Sequence, residues 1–179
     1  TILKKGKGKL VRLGDIAKVR FGIKTGANEF FYLDEERIAK WGIEEEFLRP
    51  VIKSPRECKS IQIDPKTLKF KVFMCHKSKS ELQGTAALEY IKWGERQKFH
   101  LRRSCNNRAQ WWSITGSHTG RIAWAMIHSE RHNVQWNPER VELDHNFFEV
   151  LYRNKSNETC IAGQLLYVVG VLMKEIVGR

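Results

Sequence analysis

The stretch "FGIKTGANEFFYL", residues 21–33, decides how the fold is built. Its first half combines two glycines with small polar residues, a composition typical of a tight turn. Its second half contains three consecutive aromatic residues, a composition typical of a buried strand. The preceding residues 16–21 mix apolar and charged types in near alternation and predict another strand. We therefore predict two strands joined by a turn over residues 22–28. The polar side chains on that turn are Lys24, Thr25 and Asn28.

Helix signals are irregularly placed around this unit. Asp34 is a plausible N-cap for a short helix that runs to Trp41 and ends at Gly42. A longer helix is predicted over residues 80–97, with Ser80 as its cap, and a third over residues 161–177. Residues 98–114 lack a regular period and are predicted to be irregular.

Several further segments predict strands. The segments "FKVFMCH", "RIAWAMIH" and "NFFEVLY" have strand composition, whereas Pro50 in "FLRPVIK" confines that segment to an edge or a loop. No β-α-β alternation is visible. The pattern predicts an α+β domain with a mixed or antiparallel sheet and a few flanking helices.

The charge pattern indicates a polyanionic partner. The 179 residues carry 32 Lys and Arg against 20 Asp and Glu, a net charge of +12 with a pI near 9.7. Basic residues concentrate in residues 4–24 and 92–108, and acidic ones in residues 29–46. We expect the two basic segments to form one face. Clustered Lys and Arg displace counterions from phosphates, although an anionic membrane surface attracts the same charges.

Several classes of protein are excluded by the sequence. No apolar run reaches the ~18 residues that a membrane span needs. Nucleotide-binding glycine motifs are absent, and Lys24-Thr25-Gly26 lacks the S-x-x-K that accompanies K-T-G in penicillin-binding enzymes. The four cysteines show no C-x-x-C spacing, which predicts reduced thiols and a cytoplasmic protein.

Two segments have the chemistry of nucleic-acid contacts. The turn at residues 22–28 offers an ammonium, a hydroxyl and an amide, which suit a phosphate or a base edge. Alternatively, Thr25 and Asn28 satisfy local backbone groups in an ordinary hairpin. The segment "WGERQKFHLRRSCNNRAQWWSI" alternates arginines with aromatics and amides. Its tryptophans are either stacking groups or core anchors.

A metal site is a weaker candidate. "HSERH" at residues 128–132 places two histidines four apart, with Asp144 and His145 downstream, but H-E-x-x-H is absent. A metal-dependent nuclease using Glu130, His132 and Asp144 stays open as an alternative. A second alternative is a module that binds RNA or a protein partner through the Arg- and Trp-rich segment.

Five segments in order resemble a known family. They are "LGDIAKVRFGIKTGANEFFYL", "FLRPVIKSP", "YIKWGERQKFHLRRSC" followed by Arg108 and Trp111-Trp112, "VELDHNFFEV" and "LLYVVGVLMKEIVGR". Together they resemble the C-terminal target recognition domain of N6-adenine DNA methyltransferases of the TaqI-like class, from restriction–modification systems. Distant similarity extends to the specificity subunits of type I systems.

The resemblance implies that a catalytic half precedes this region in the parent enzyme. That half carries the S-adenosylmethionine-binding glycine motif and an N-P-P-[YF] loop, and neither occurs here; Asn137-Pro138-Glu139 is not that loop. Residues 1–179 are therefore expected to be a single recognition domain, with residues 1–9 as a basic lead-in, cut from a longer adenine-specific methyltransferase. Neither catalytic residues nor a cofactor site are expected in this fragment.

The resemblance also implies that duplex DNA and the N-terminal methyltransferase domain are the partners. We predict base-edge contacts from Lys24, Asn28, Arg102 and Arg108, with Thr25 and Trp112 in the same interface. Phosphate contacts are predicted for a larger basic set: Lys4, Lys5, Lys7, Lys9, Lys18, Lys98 and Arg103.

Overall fold

The computed structural model describes residues 11–115, 119–127 and 134–153, together with Gly8 and Gly163. These residues form two four-stranded sheets with short helices around them. The strands are β1 (Ala17–Phe21), β2 (Tyr32–Leu33), β3 (Leu48–Ile52), β4 (Phe70–Phe73), β5 (Ile122–Ala125), β6 (Val134–Trp136), β7 (Glu142–Leu143) and β8 (Phe147–Tyr152). The predicted α+β class is confirmed, although the strands divide between two sheets rather than one.

The first sheet is antiparallel throughout, in the order β1-β8-β5-β6. The second has the order β2-β4-β3-β7, with β3 and β7 parallel and the other pairs antiparallel. Ile52 and Leu143 of the second sheet pack in one apolar cluster with Ala123 and Phe147 of the first. The two sheets therefore share a core.

The helices are short. They are α1 (Leu13–Ile16), α2 (Asn28–Phe31), α3 (Glu35–Trp41), α4 (Ala86–Arg96) and α5 (Arg103–Asn106), with 3-10 turns at Glu45–Phe47, Pro55–Glu57, Pro65–Thr67 and Phe99–Leu101. No helix among the described residues is long and apolar enough to cross a membrane. The helix predicted over residues 161–177 lies outside the described residues.

Helix α3 has the bounds that the sequence predicts. The Asp34 carboxylate accepts a hydrogen bond of 3.0 Å from the Arg37 N–H, and Gly42 ends the helix with a φ of 63°. Helix α4 begins later than predicted, because Gly84 adopts a φ of 80° and Thr85, rather than Ser80, caps the helix. The Thr85 hydroxyl accepts from the Leu88 N–H at 3.2 Å.

The prediction of a strand over residues 29–33 was wrong for its first part. Asn28–Phe31 forms helix α2, and only Tyr32–Leu33 is extended. Phe30 and Phe31 are both fully buried. Adjacent strand residues point to opposite faces, whereas one helical turn directs both rings toward the same core. Strands β1 and β2 consequently lie in different sheets and do not form a hairpin.

The prediction of an edge strand or loop at Pro50 was also wrong, since β3 lies between β4 and β7. The short strand β7 pairs only with Val51 and Ile52. Pro50 therefore lies beyond the part of β3 that has neighbours on both sides, and its missing N–H costs no ladder bond to β7.

The largest core cluster is centred on the Phe30 ring. This ring stacks on Tyr90 with centroids 4.7 Å apart and contacts Trp111 at 4.6 Å and Phe73 at 5.6 Å. Tyr90 also donates a hydrogen bond of 2.7 Å to the Phe30 carbonyl. The aromatic half of the opening stretch is therefore the anchor of the domain.

Candidate nucleic-acid interface

Residues 22–28, termed the glycine loop, are fixed on one side by the backbone that joins β7 to β8. The Gly22 N–H donates to the Phe147 carbonyl at 2.9 Å, and the Ile23 N–H donates to the Leu143 carbonyl at 2.7 Å. The His145 N–H donates back to the Ile23 carbonyl at 3.0 Å. These bonds make the start of the loop part of the sheet region.

The two glycines of this loop meet close neighbours. A Cβ on Gly22 would contact the Leu143 and Asp144 carbonyl oxygens and lie 2.8 Å from the Asp144 carbonyl carbon. Gly26 has a φ of 77°, and a Cβ there would lie 2.6 Å from the Ser104 hydroxyl oxygen. Only glycine allows the loop to lie this close to both of its supports.

Arg108 fixes the other side of the glycine loop. Its Nη2 donates to the carbonyls of Lys24 at 2.8 Å and Thr25 at 2.7 Å, and its Nη1 donates to the Trp111 carbonyl at 3.3 Å. The guanidinium carbon lies 5.4 Å from the centre of the Phe31 ring. Burial lowers the pKa of this guanidinium. Arg108 thus joins residues 93–114, termed the Arg-rich segment, to the glycine loop.

Arg108→Ala is expected to destabilise the domain by about 2–4 kcal/mol, because three carbonyls lose a charged donor. Arg108→Lys should not restore stability, since a single ammonium lacks the planar fork that reaches these carbonyls. Urea unfolding of both variants measures the effect. Arg103→Ala is the control, because Arg103 is exposed on the adjacent helix α5. Equal stabilities of the Arg108 and Arg103 variants would contradict this role.

A cleft of about 410 Å³ lies between the glycine loop and the Arg-rich segment. We term it the cationic cleft, and its lining includes Phe21, Lys24, Ser104, Asn107, Arg108 and Thr115. No carboxylate is among the described residues that line it. The two basic segments predicted to share a face therefore do meet, at Lys24 and Arg108.

The sequence patterns do not predict four of these lining residues: Phe21, Ser104, Asn107 and Thr115. Phe21 gives the clearest structural signal, since it is 61% exposed although it ends a strand. Its ring contacts Phe148 at 5.0 Å between centroids. An exposed aromatic ring in the lining of a cleft that also contains Lys24 and Arg108 can stack on a base or wedge between base steps.

The other predicted site residues have varied environments. Thr25 is buried and its hydroxyl donates a hydrogen bond to the Asn28 amide oxygen, a contact between two side chains rather than with the backbone groups of a hairpin. Trp112 is 7% exposed and donates to the Lys77 carbonyl at 3.4 Å, so its ring belongs to the core.

Arg102 is exposed and pairs with Glu29. Lys18 and Lys98 are exposed outside the cleft lining, and Lys9 lies outside the described residues.

Asp144, which the metal-site alternative includes, is buried and bonded to neighbouring groups of the fold. It is 1% exposed, accepts the Tyr32 hydroxyl proton and accepts the Asn146 N–H at 3.0 Å. Burial and the Asp144 charge raise the pKa of Tyr32. Glu130 and His132 lie outside the described residues. Within the described part of the chain, no three or more His, Cys, Asp or Glu side chains are grouped so that they could hold a metal ion.

Comparison with known proteins gives the family. Residues 3–179 match the family described as "Type II methyltransferase M.Eco57I, C-terminal domain". The chain belongs to this family. The recognition predicted from the five ordered segments is thereby confirmed.

A solved structure shares the fold of this methyltransferase C-terminal domain. It is that of MmeI, described as a Type IIL restriction-modification enzyme in complex with DNA. The match covers 82% of this chain with a TM-score of 0.56 and 15% sequence identity. This chain corresponds to 20% of the MmeI chain.

S-adenosylmethionine is the methyl donor that a DNA methyltransferase implies, and the cationic cleft of the C-terminal domain does not fit it. That cofactor carries a sulfonium and an ammonium against a single carboxylate, so its net charge is positive. The cleft presents Lys24 and Arg108 and has no carboxylate in its lining. Like charges in a partly desolvated cleft disfavour binding.

Proposed function

We propose that this domain recognises duplex DNA as the target recognition part of an adenine-specific methyltransferase of a restriction–modification system. The observation that carries the proposal is the cationic cleft, where the glycine loop and the Arg-rich segment meet. Family membership supports it. Methyl transfer and cofactor binding are assigned to the N-terminal part of a longer parent enzyme.

The charge of the cleft suits a phosphate backbone. Lys24 is exposed at the rim, while Arg108 contributes a half-buried positive charge inside. Each Lys or Arg that neutralises a phosphate releases condensed counterions, which makes binding fall steeply with salt. The net charge of +12 adds long-range attraction to the duplex.

The neutral lining supplies groups for reading bases. Asn107 carries an amide that can pair with the N6 and N7 edge of adenine, and Ser104 and Thr115 carry hydroxyls. Phe21 offers an apolar contact for a thymine methyl group or a wedge between base steps. Tight duplex binding by this domain would offset the few kcal/mol needed to flip the target adenine.

The decisive experiment is binding of the chain to duplex DNA across a salt titration, with RNA and random-sequence duplex as competitors. The proposal expects a steep salt dependence and preference for duplex DNA. Preference for RNA would favour an RNA-binding module instead. Absence of binding at low salt would remove the cationic cleft as the interface of this chain.

Lys24→Ala is expected to weaken binding to every duplex about tenfold and to reduce the salt slope by about one, because one phosphate contact is lost. Lys66→Ala is the matched control. Lys66 is exposed and lines a separate cleft of about 550 Å³ with Asp64 and Glu139. Equal losses in the two variants would indicate that net charge, rather than the cationic cleft, drives binding.

A further inference from the structure

The Glu29 carboxylate accepts two hydrogen bonds from the guanidinium of Arg102, one of the arginines predicted to contact DNA. Arg102 Nη1 donates to Glu29 Oε2 at 2.8 Å, and Nη2 donates to Glu29 Oε1 at 3.3 Å. The Arg102 guanidinium carbon lies 4.8 Å from the centre of the Phe99 ring. This double contact joins residues 73 positions apart and connects the helix after the glycine loop with the Arg-rich segment.

The Glu29 carboxylate resembles the hydrogen-bond acceptors of DNA in its geometry. Two carboxylate oxygens side by side resemble two phosphate oxygens, or the O6 and N7 edge of guanine. The Arg102 hydrogen bonds lower the pKa of Glu29, so the carboxylate stays ionised at neutral pH. The charged Glu29 carboxylate thus occupies the two donors that Arg102 would offer to a duplex.

The pair is placed for exchange. The side chains are 41% exposed for Arg102 and 62% for Glu29, so solvent and a ligand reach both. Exposed ion pairs contribute little to folding stability, and replacing one acceptor by another costs little. The backbone beneath Glu29 is fixed, since Arg37 Nη1 donates to the Glu29 carbonyl at 2.6 Å. The carboxylate can therefore release Arg102 without unfolding helix α2.

We propose that Glu29 is an internal competitor that holds Arg102 away from DNA until a duplex presents a matching double acceptor. This inference rests on the proposed function and adds a means of discrimination to it. Weak or misaligned phosphates do not displace the carboxylate, whereas a well-aligned pair of acceptors does. Glu29 thereby lowers affinity for incorrect DNA more than affinity for the target.

The test is Glu29→Gln in the full chain, measured by binding to a random-sequence duplex. We expect binding to tighten about threefold, because the competing charge is lost. Glu139→Gln, which changes net charge equally at the separate cleft, should have a smaller effect. In an Arg102→Gln background, Glu29→Gln should no longer tighten binding. Circular dichroism checks that each variant is folded.

The outcomes separate this inference from the proposed function. If the wild-type chain binds duplex DNA but Glu29→Gln leaves affinity unchanged, or the gain persists without Arg102, the competitor role is wrong. Absence of duplex binding by both proteins overturns the function and the inference together. A duplex of A·T pairs alone distinguishes the acceptors: an equal gain there indicates phosphate, and a gain confined to G-containing duplexes indicates the guanine edge.

Discussion

Gly22→Ala is expected to destabilise the domain by about 3–5 kcal/mol, because the added methyl group enters space filled by main-chain atoms. Its Cβ would contact the Leu143 and Asp144 carbonyl oxygens and lie 2.8 Å from the Asp144 carbonyl carbon. Those atoms belong to the segment whose Leu143 carbonyl accepts the Ile23 N–H. Relief of the clash therefore breaks the bonds that hold the glycine loop.

Urea unfolding at neutral pH measures this effect. Gly14→Ala is the matched control, since no atom lies within 4 Å of a Cβ there and alanine is favoured over glycine in a helix. The control should be neutral or slightly stabilising. If the two alanine variants had the same stability, the close contact at Gly22 would not be the support of the loop.

Glu149→Gln is expected to stabilise the domain by about 3 kcal/mol at pH 8. The side chain is fully buried on β8. Burial and, second, the Glu142 charge raise the pKa of Glu149, while the Gly120 N–H and the Arg20 charge lower it, and the net pKa is about 7. The wild-type carboxyl must ionise inside the protein above that pH, whereas glutamine remains neutral.

The sign of the pH dependence follows from the raised pKa. Below about pH 4.5 the carboxyl is protonated in both folded and unfolded chains and costs nothing. As the pH rises toward 7, the unfolded chain ionises first, and the wild type loses stability. Unfolding measured at pH 5 and pH 8 should therefore show a larger gain for Glu149→Gln at pH 8.

Glu139→Gln is the control for this pH dependence, because Glu139 is exposed. It should change stability little at either pH. A gain for Glu149→Gln that is the same at both values would mean that the variant acts through packing rather than through the ionisation of a buried carboxyl.

Local features of this fold are predictable where the deciding groups are close in sequence. The Asp34 side chain and the Arg37 N–H that it caps are three residues apart, and Gly42 ends the same short helix. Strands β4, β5 and β8 follow from their composition. In contrast, the apolar period predicts Ser80 as a cap, because that period does not encode the left-handed backbone at Gly84, after which Thr85 caps the helix.

The candidate site was predictable in its segments but only partly in its residues. Lys24 and Arg108 do line one cleft. The guanidinium of Arg108, however, holds the Lys24 and Thr25 carbonyls, and Trp112 is part of the core. A contact of Arg108 with a base edge stays a prediction. Phe21 and Asn107 line the cleft because of where the backbone places them, and no spacing rule indicates that.

The sequence alone determined the α+β class, the family, the basic net charge and the caps of helix α3, since these depend on composition, on the order of segments or on neighbours within one turn. Tertiary structure decided that Phe30 and Phe31 are helical, that Arg108 supports the glycine loop and that Glu29 pairs with Arg102. These features depend on which distant segments pack together. A buried ring or a charged donor takes whatever partner the packing brings within reach, and that partner can lie 73 or more residues away.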